Sequence, residues 1–140
     1  MPTPESAAVA VELRTAMGKL TRRVQHEDRI PHGQVAVLGV LDRDGAMTTS
    51  DLAADQRVRP QSMARAVGLL AEQGLVTRRP HPTDGRKSLV ELSDAGRAAL
   101  ETERGRRAGW LAQAIEAELT AGERELLARG AALMERLAGR

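Results

Sequence analysis

The sequence predicts a mainly α-helical fold of the α+β class, in which a short β-hairpin interrupts a series of helices. Three observations support this prediction. Of the 140 residues, 41% are hydrophobic, mainly Ala, Leu and Val, with one Trp and no Phe or Tyr, a composition that suits closely packed helices. Apolar residues recur at steps of three or four towards both ends of the chain. Only residues 75–92 show a weak alternation of apolar and polar residues together with turn residues, as two paired strands do.

The first part of the chain predicts two helices. An amphipathic helix over about residues 5–28 carries apolar residues at helical spacing, namely Val9, Leu13, Met17, Leu20 and Val24. Pro31 and Gly33 end this helix. The next helix is short and has one apolar face, formed by Val37, Leu38 and Leu41. It ends near the turn residues Asp42–Gly45.

The following segment has the spacing of a helix-turn-helix. The stretch TTSDLAAD begins a helix that Thr48 caps, with Asp51 three residues later, and this helix ends around Gln56. Pro60 is a favoured first helical residue, and the helix that it begins ends at Gly74. Two short helices with so tight a connection are typical of a helix-turn-helix.

A β-hairpin is predicted next. Leu75–Arg79 and Lys87–Leu92 have the pattern of strands, and about seven residues, including Pro80 and Pro82, join them. The two prolines stiffen this loop by restricting φ and the residues before them.

Two long helices are predicted after the hairpin. Ser93 caps a helix that runs to about Leu119, and the capping-box spacing of Thr120 and Glu123 begins the last helix. The apolar stripes of the first and last helices exceed what the middle of the chain would cover. We therefore expect the terminal helices to pack together and against a second copy of the chain.

Positive charge is concentrated in the middle of the chain. Residues 57–92 contain seven basic and three acidic residues, although the net charge of the whole chain is only +2. Such a concentration is expected for a surface that binds a polyanion, and it is also compatible with an ordinary solvated face.

Several classes of function are not expected. The chain has no Cys, and its three histidines lack metal-ligand spacing. A zinc site with carboxylate ligands is kept as an alternative. We find no Gly-rich phosphate loop and no specific pair of nucleophile and base, so we expect neither an enzyme nor a cofactor. No signal peptide or membrane-spanning run is evident, and we expect a cytoplasmic protein.

The motifs together resemble the MarR family of winged helix-turn-helix transcriptional regulators. The resemblance covers about residues 30–100 and rests on TTSDLAADQRVRPQSMARAVGLLAEQGLVTRR and on HPTDGRKSLVELSDAGRAAL. Gln34, Val37, Leu38 and Leu41 also match. The most diagnostic piece is the pair Asp84 and Arg86 followed by VELSDAG.

The resemblance implies a homodimer that binds a pseudo-palindromic site in double-stranded DNA. Residues 1–30 would form an N-terminal dimerisation helix, residues 31–92 the winged helix-turn-helix, and residues 93–140 the C-terminal linker and dimerisation helices. The recognition helix would cover about residues 60–73 and the wing about residues 75–92. Family members usually repress genes near their own, and many release DNA when a small aromatic or anionic effector binds. Alternative functions are a protein-interaction module and a nonspecific architectural DNA binder.

Recognition helices place their N-terminal residues nearest to the bases. In this chain those residues are Arg59, Pro60, Gln61, Ser62 and Arg65. Gln61 and Arg65 are the expected base readers, because Gln pairs with adenine and Arg with guanine through two hydrogen bonds. Alternatively, Gln61 is an ordinary exposed residue of the helix that reads no base. Ser62 is expected to contact a base or a phosphate. Arg59 stands where the family usually has Ser or Thr, so a capping oxygen is lost and a phosphate contact is expected instead.

In the wing, Arg86 is expected to enter the minor groove, where narrow A·T stretches attract arginine. Asp84 is expected to brace the loop by accepting hydrogen bonds from loop amides or from Arg86, and a pair with Arg65 is the alternative. Phosphate contacts are expected from Thr83, Arg78, Arg79 and Lys87, and from Thr48 and Ser50 at the start of the preceding helix.

The family's effector pocket lies between the first two helices, the start of the DNA-binding domain and the long fifth helix. The candidate ligand-binding residues there are Arg23, His26, His32 and Trp110. An Arg and a His would hold a carboxylate, and a Trp would stack on a ring. Alternatively, Trp110 lies in the core or the dimer interface, and the histidines are exposed or cap a helix.

Overall fold

The computed structural model describes all residues 1–140 and contains six helices and three short strands. Their order is α1 (Pro4–Gln25), α2 (His32–Asp44), β1 (Met47–Thr48), α3 (Thr49–Gln56), α4 (Pro60–Glu72), β2 (Val76–Pro80), β3 (Ser88–Leu92), α5 (Asp94–Glu118) and α6 (Ala121–Ala138). The predicted α+β fold is confirmed. α1 ends three residues earlier than expected, and the other predicted helices agree to within about two residues. None of the helices has the length and apolarity that crossing a membrane requires.

Four hydroxyl caps set where helices begin, the first being that of Thr3, which accepts from the Ser6 amide at the start of α1. The hydroxyls of Thr48, Ser93 and Thr120 accept hydrogen bonds from backbone amides in the first turns of α3, α5 and α6. At α6 the cap is reciprocal, because the Glu123 carboxylate accepts from the Thr120 amide at 2.9 Å. Hydrogen bonds from the backbone amide and then the side chain of Thr120 lower the pKa of Glu123.

The hairpin is part of a three-stranded antiparallel sheet with the order β1-β3-β2. Val76 pairs with Leu92 and Pro80 with Ser88, so residues 81–87 form the loop. The strand β1 was not predicted. It contains only two residues, of which Met47 pairs with Val90, and so short a segment has no period that a sequence pattern reveals.

The hydrophobic core lies beneath this sheet, between α2, α3 and α4. Its completely buried side chains come from these three helices and β3, and they are Val37, Leu38, Leu52, Val67, Leu70 and Val90. α5 contributes Leu100, whereas no residue of α1 or α6 is buried. The terminal helices therefore lie outside the core that the single chain forms.

The start of α5 is joined closely to the connection between α4 and β2. The Ser93 hydroxyl donates to the Gly74 carbonyl at 2.6 Å, and the Ser93 amide donates to the Leu75 carbonyl at 3.1 Å. Gly74 has φ of +75°, which glycine adopts without strain. A Cβ atom at Gly96 would lie 1.9 Å from the Leu75 carbonyl oxygen. Only glycine therefore fits at position 96.

A buried ionic cluster joins α5 to the segment between α1 and α2. Arg107 Nε donates to Asp28 Oδ1 at 2.7 Å, and Glu103 binds the Arg106 guanidinium and the Arg29 amide. The side chains of Asp28 and Glu103 are 1% and 2% exposed. The hydrogen bond to Asp28 raises the pKa of Arg107. The geometry ties the end of α1 to the middle of α5.

We predict that Gly96→Ala lowers the free energy of unfolding by about 2–3 kcal/mol, because overpacking forces the Leu75 backbone to move. Gly105→Ala in the same helix is the control. A Cβ atom at Gly105 meets nothing within 4 Å, so helix propensity predicts a gain of up to about 1 kcal/mol. Urea denaturation at one protein concentration measures both variants. A Gly96→Ala midpoint at or above that of the wild type would contradict the packing argument.

Candidate nucleic-acid interface

The N-terminal turn of α4 presents the predicted recognition residues to solvent. Arg59 is the N-cap, Pro60 is the first helical residue, and Gln61, Ser62 and Arg65 are all exposed. The Arg59 side chain forms no capping hydrogen bond, as expected from the missing Ser or Thr oxygen. Neither Arg59 nor Arg65 forms an ion pair within the chain. Both guanidinium groups are therefore available to an anion.

Arg57 closes the turn of the helix-turn-helix in a left-handed conformation, with φ of 54° and ψ of 43°. It is the only residue other than glycine with positive φ. This conformation costs a residue with a Cβ atom about 1 kcal/mol or more, and strained residues cluster at functional sites. Arg57 was not predicted as a special position, since nothing in the sequence pattern distinguishes a left-handed residue when it is not Gly or Asn.

An apolar groove of about 270 Å³ lies beside α4, between this helix and the start of α2. Ser62 and Arg65 line its edge, and Met63 and Leu69 contribute apolar surface. Gln34 also lines the groove, and its buried Oε1 atom accepts no hydrogen bond within the chain. Arg65 thus borders both the exposed face of α4 and this groove.

A second groove, of about 320 Å³, lies between the start of α3 and the wing, and only polar or charged residues line it. They are Thr48, Thr49, Ser50, Arg78, Arg86, Lys87 and Ser88. Five of the predicted DNA-contacting residues, from α3 and from the hairpin, therefore meet in one basic groove. Within it, the Thr48 hydroxyl already accepts from the Asp51 amide at 3.1 Å, whereas Ser50 is exposed. The groove combines cationic side chains with the N-terminus of a helix, both of which favour a phosphate.

Asp84 lies at the tip of the wing and contacts Arg86. Its Oδ1 atom accepts from the Arg86 amide at 3.1 Å and lies 3.5 Å from Arg86 Nε. The Arg86 side chain is 94% exposed, so it projects from the tip into solvent. Asp84 thus has the loop-amide and arginine partners that a brace requires, and it forms no pair with Arg65.

Besides Arg86, which contacts Asp84, one basic residue of the hairpin has an acidic partner, and this residue is Arg79. Its Nε atom lies 3.1 Å from Glu91 Oε2 on the neighbouring strand, and both side chains are about half exposed. Arg78 and Lys87 have no such partner. The structure therefore separates Arg79, which pairs with Glu91 and does not line the second groove, from Arg78 and Lys87, which line it without an acidic partner.

His81 organises the wing loop, although no feature of the sequence pattern predicted this contact. Its Nδ1 atom accepts from the amides of Thr83 at 3.2 Å and Asp84 at 3.1 Å. Asp, Asn, Ser or Thr usually supplies such an acceptor two or three residues before the amides, so a histidine gives no turn signal. Pro82, the next residue, was the sequence feature that indicated an ordered turn at this position. Thr83, a predicted phosphate contact, is exposed beside this turn.

The structure brings two of the four candidate ligand residues together. The Arg23 guanidinium lies 4.2 Å from the centre of the Trp110 ring, and it also contacts Glu27 at 2.8 Å. Trp110 is partly buried. His26 is the C-cap of α1 and His32 is the first residue of α2, and both are exposed. Arg23 and Trp110 thus form one stacked pair, with the histidines at helix ends.

Comparisons of the sequence identify related regulators. A family model described as MarR family matches residues 30–87. An uncharacterized HTH-type transcriptional regulator from Mycobacterium bovis is 38% identical over 131 residues, which cover 91% of this chain and 91% of that protein. A similar regulator from Mycobacterium leprae is 35% identical over 131 residues, with the same coverage of both chains.

Solved structures share the whole architecture. A protein from Pseudomonas aeruginosa PA01, described as a candidate transcriptional regulator, has 36% identity and a TM-score of 0.84, with 99% of each chain covered. A mutant MarR from E. coli has 23% identity and a TM-score of 0.78, with 99% of this chain and 98% of that chain covered, and this match concerns the fold. The family model, the relatives and the winged helix agree with the resemblance seen in the motifs. The chain therefore belongs to the MarR family of winged helix-turn-helix transcriptional regulators.

Proposed function

We propose that this regulator is a homodimer that binds a pseudo-palindromic operator, represses transcription there and is released by a small aromatic or anionic effector. Residues 31–92 form the DNA-binding domain, with α4 in the major groove and the wing in the minor groove. Residues 1–30 and 93–140 provide the dimer interface and the linker to it. Gln61 and Arg65 read bases, and Arg86 enters the minor groove.

The observation that carries the DNA-binding part is the set of basic residues on α4 and around the second groove, of which Arg86 alone contacts an acidic residue. Arg78, Arg86 and Lys87 line the groove between the wing and the start of α3, and Arg59 and Arg65 extend from α4 without ion pairs. Phosphate contacts by such residues position a protein on DNA, whereas base contacts specify the sequence. The polar side chain in the first turn of α4 that suits base reading is Gln61.

The dimer is supported by the apolar side chains that α1 and α6 leave in solvent. On these two helices the exposed large apolar residues are Val9, Val11, Met17, Leu20, Leu126, Leu127, Leu133 and Leu137. Neither helix buries any residue within the chain. Exposed apolar side chains in such number on two helices indicate an interaction site. Family resemblance makes a second copy of the chain the occupant.

The effector part of the proposal rests on the stacked pair of Arg23 and Trp110. An aromatic carboxylate would find a cation and a ring there, with His26 and His32 at the neighbouring helix ends. Glu27 already contacts Arg23 at 2.8 Å, so an anionic effector would have to replace this carboxylate. The exchange of one partner of Arg23 for another would alter the end of α1, close to the cluster around Asp28.

The competing functions predict different gel shifts with DNA from upstream of the gene. Repression through an operator predicts sharp retardation that survives excess nonspecific DNA. A nonspecific architectural binder would give retardation that competitor DNA abolishes, and a protein-interaction module would give none at micromolar protein. Arg86→Ala should weaken the specific complex at least about tenfold, because both protomers lose a contact of about 1 kcal/mol or more.

Arg140→Ala is the control for Arg86→Ala, because it removes the same charge at the last residue of the chain, away from the wing. It should leave the dissociation constant within about twofold of the wild type. Equal losses of affinity in the two variants would reduce the role of Arg86 to a contribution to the net charge.

Gln61→Ala should narrow the ratio of affinities for the operator and for a scrambled duplex. A bidentate contact from Gln discriminates against a wrong base by about 1–3 kcal/mol. Gln73→Ala, at the other end of α4, is the matched control and should keep the ratio. If Gln61→Ala weakens binding equally to both duplexes, Gln61 does not read bases.

Light scattering at micromolar concentration should give the mass of two chains. Leu133→Glu places a charge on the exposed apolar surface of α6 and should shift the mass towards one chain. Val58→Glu adds the same charge to an exposed apolar residue outside the terminal helices and should leave the dimer intact. A wild-type mass of one chain would contradict the dimer.

A further inference from the structure

We propose that His81 positions the tip of the wing through its neutral ring, and that protonation of this ring releases the tip and weakens specific DNA binding. This inference rests on the proposed DNA-binding function. His81 lies at the first position of the loop, directly after β2. Two kinds of contact hold the loop closed at this residue, one from its backbone and one from its ring.

The backbone contacts close the base of the loop. The His81 amide donates to the Lys87 carbonyl at 3.2 Å, and the Lys87 amide donates to the Asp84 carbonyl at 3.1 Å. The ring closes the tip, because Nδ1 accepts from the amides of Thr83 and Asp84 and lies 3.4 Å from the Thr83 hydroxyl. Apart from the Asp84 carboxylate, which accepts the Arg86 amide, His81 is the side chain that satisfies amides inside the loop.

A ring nitrogen that accepts two N–H donors carries no proton, so the neutral ring holds its proton on Nε2. Protonation would place an N–H on Nδ1, directly opposite two other N–H groups. Both amides would then lose their acceptor. An Asn, Asp, Ser or Thr in this position offers an oxygen and makes the same turn without a change between pH 5 and 8, whereas histidine titrates in that range.

The contacts run in series from His81 to Arg86. The ring holds the Asp84 amide at 3.1 Å, the Asp84 carboxylate holds the Arg86 amide at 3.1 Å, and the same carboxylate lies 3.5 Å from Arg86 Nε. Release of the first contact therefore removes the support of the residue proposed to enter the minor groove. Thr83, which donates to the same ring nitrogen, moves with it.

The hairpin that contains His81 carries six charged groups. The loop provides Asp84, Arg86 and Lys87, and the strands provide Arg78 and the pair of Arg79 with Glu91. Asp84 pairs with Arg86 and Glu91 with Arg79, so the uncompensated charges of the hairpin are those of Arg78 and Lys87, both positive. A proton added to His81 would add one more positive charge and would strengthen attraction to any DNA. Loss of the loop conformation would instead weaken DNA binding, and it would weaken only the binding to the specific site.

Asn is the discriminating substitution, because its Oδ1 atom occupies the place of His Nδ1 and accepts hydrogen bonds without titrating. The DNA probe is a duplex that the wild-type protein selects from a random-sequence library, with a scrambled duplex as reference. From pH 7.5 to pH 5.5, the specific affinity of the wild type should fall about tenfold relative to His81→Asn, equivalent to about 1.4 kcal/mol. His26 and His32 are present in both proteins, so their contributions cancel in this comparison.

His81→Ala is the second variant and should bind the selected duplex about tenfold more weakly than His81→Asn at pH 7.5, with no further loss at pH 5.5. A second readout is independent of DNA. Hydrogen exchange of the Thr83 and Asp84 amides should accelerate on acidification, relative to intrinsic rates, in the wild type and not in His81→Asn. Parallel pH profiles of the wild type and His81→Asn, in either readout, would overturn the proposal. If the wild type selects no duplex, the DNA-binding function fails, and amide exchange still decides the role of His81.

Discussion

The close approach of Gly96 to the Leu75 carbonyl is the constraint on which the rest of the structure depends. A side chain as small as a methyl group would lie 1.9 Å from that oxygen, so α5 reaches this position only with glycine. The hydrogen bonds of Ser93 to Gly74 and Leu75 secure the same junction. Here the end of α4, the strand β2 and the start of α5 meet. Their relative positions are therefore set at one point.

From that point, α5 extends to the cluster around Asp28 and Glu103, which are almost completely buried. A buried ion pair need not stabilise a fold more than apolar residues of the same shape would, because desolvation offsets the attraction. Loss of one partner is nevertheless costly, since it leaves a buried charge without compensation. The cluster thus restricts how the end of α1 sits on α5. One helix carries at its start the contact with the DNA-binding part and in its middle the contact with α1.

The features that the sequence predicted are those that local chemistry determines. Helices α3, α5 and α6 begin at hydroxyl caps, and the spacing of Thr48, Ser93 and Thr120 from their amide partners is visible in the sequence. The basic residues of the second groove were predicted as members of one surface, but their convergence depends on how α3 and the hairpin pack. The strand β1, the stacking of Arg23 on Trp110 and the hydrogen bonds of the His81 ring were not predicted. Each depends on a partner, or on a ring orientation, that no spacing rule describes.

The turn of the helix-turn-helix breaks two local rules within three residues. Arg57 adopts a left-handed conformation that suits glycine, and Arg59 occupies an N-cap position that suits Ser or Thr. Together these choices cost on the order of 2 kcal/mol relative to the favoured residues. The turn tolerates them because Val58 donates to the Ala53 carbonyl at 3.0 Å, Pro60 favours the first turn of α4, and Met63 is buried below it. Violations of local rules are expected where function competes with stability. Both violations place an arginine beside the proposed recognition helix, which is the arrangement that contact with a polyanion would favour.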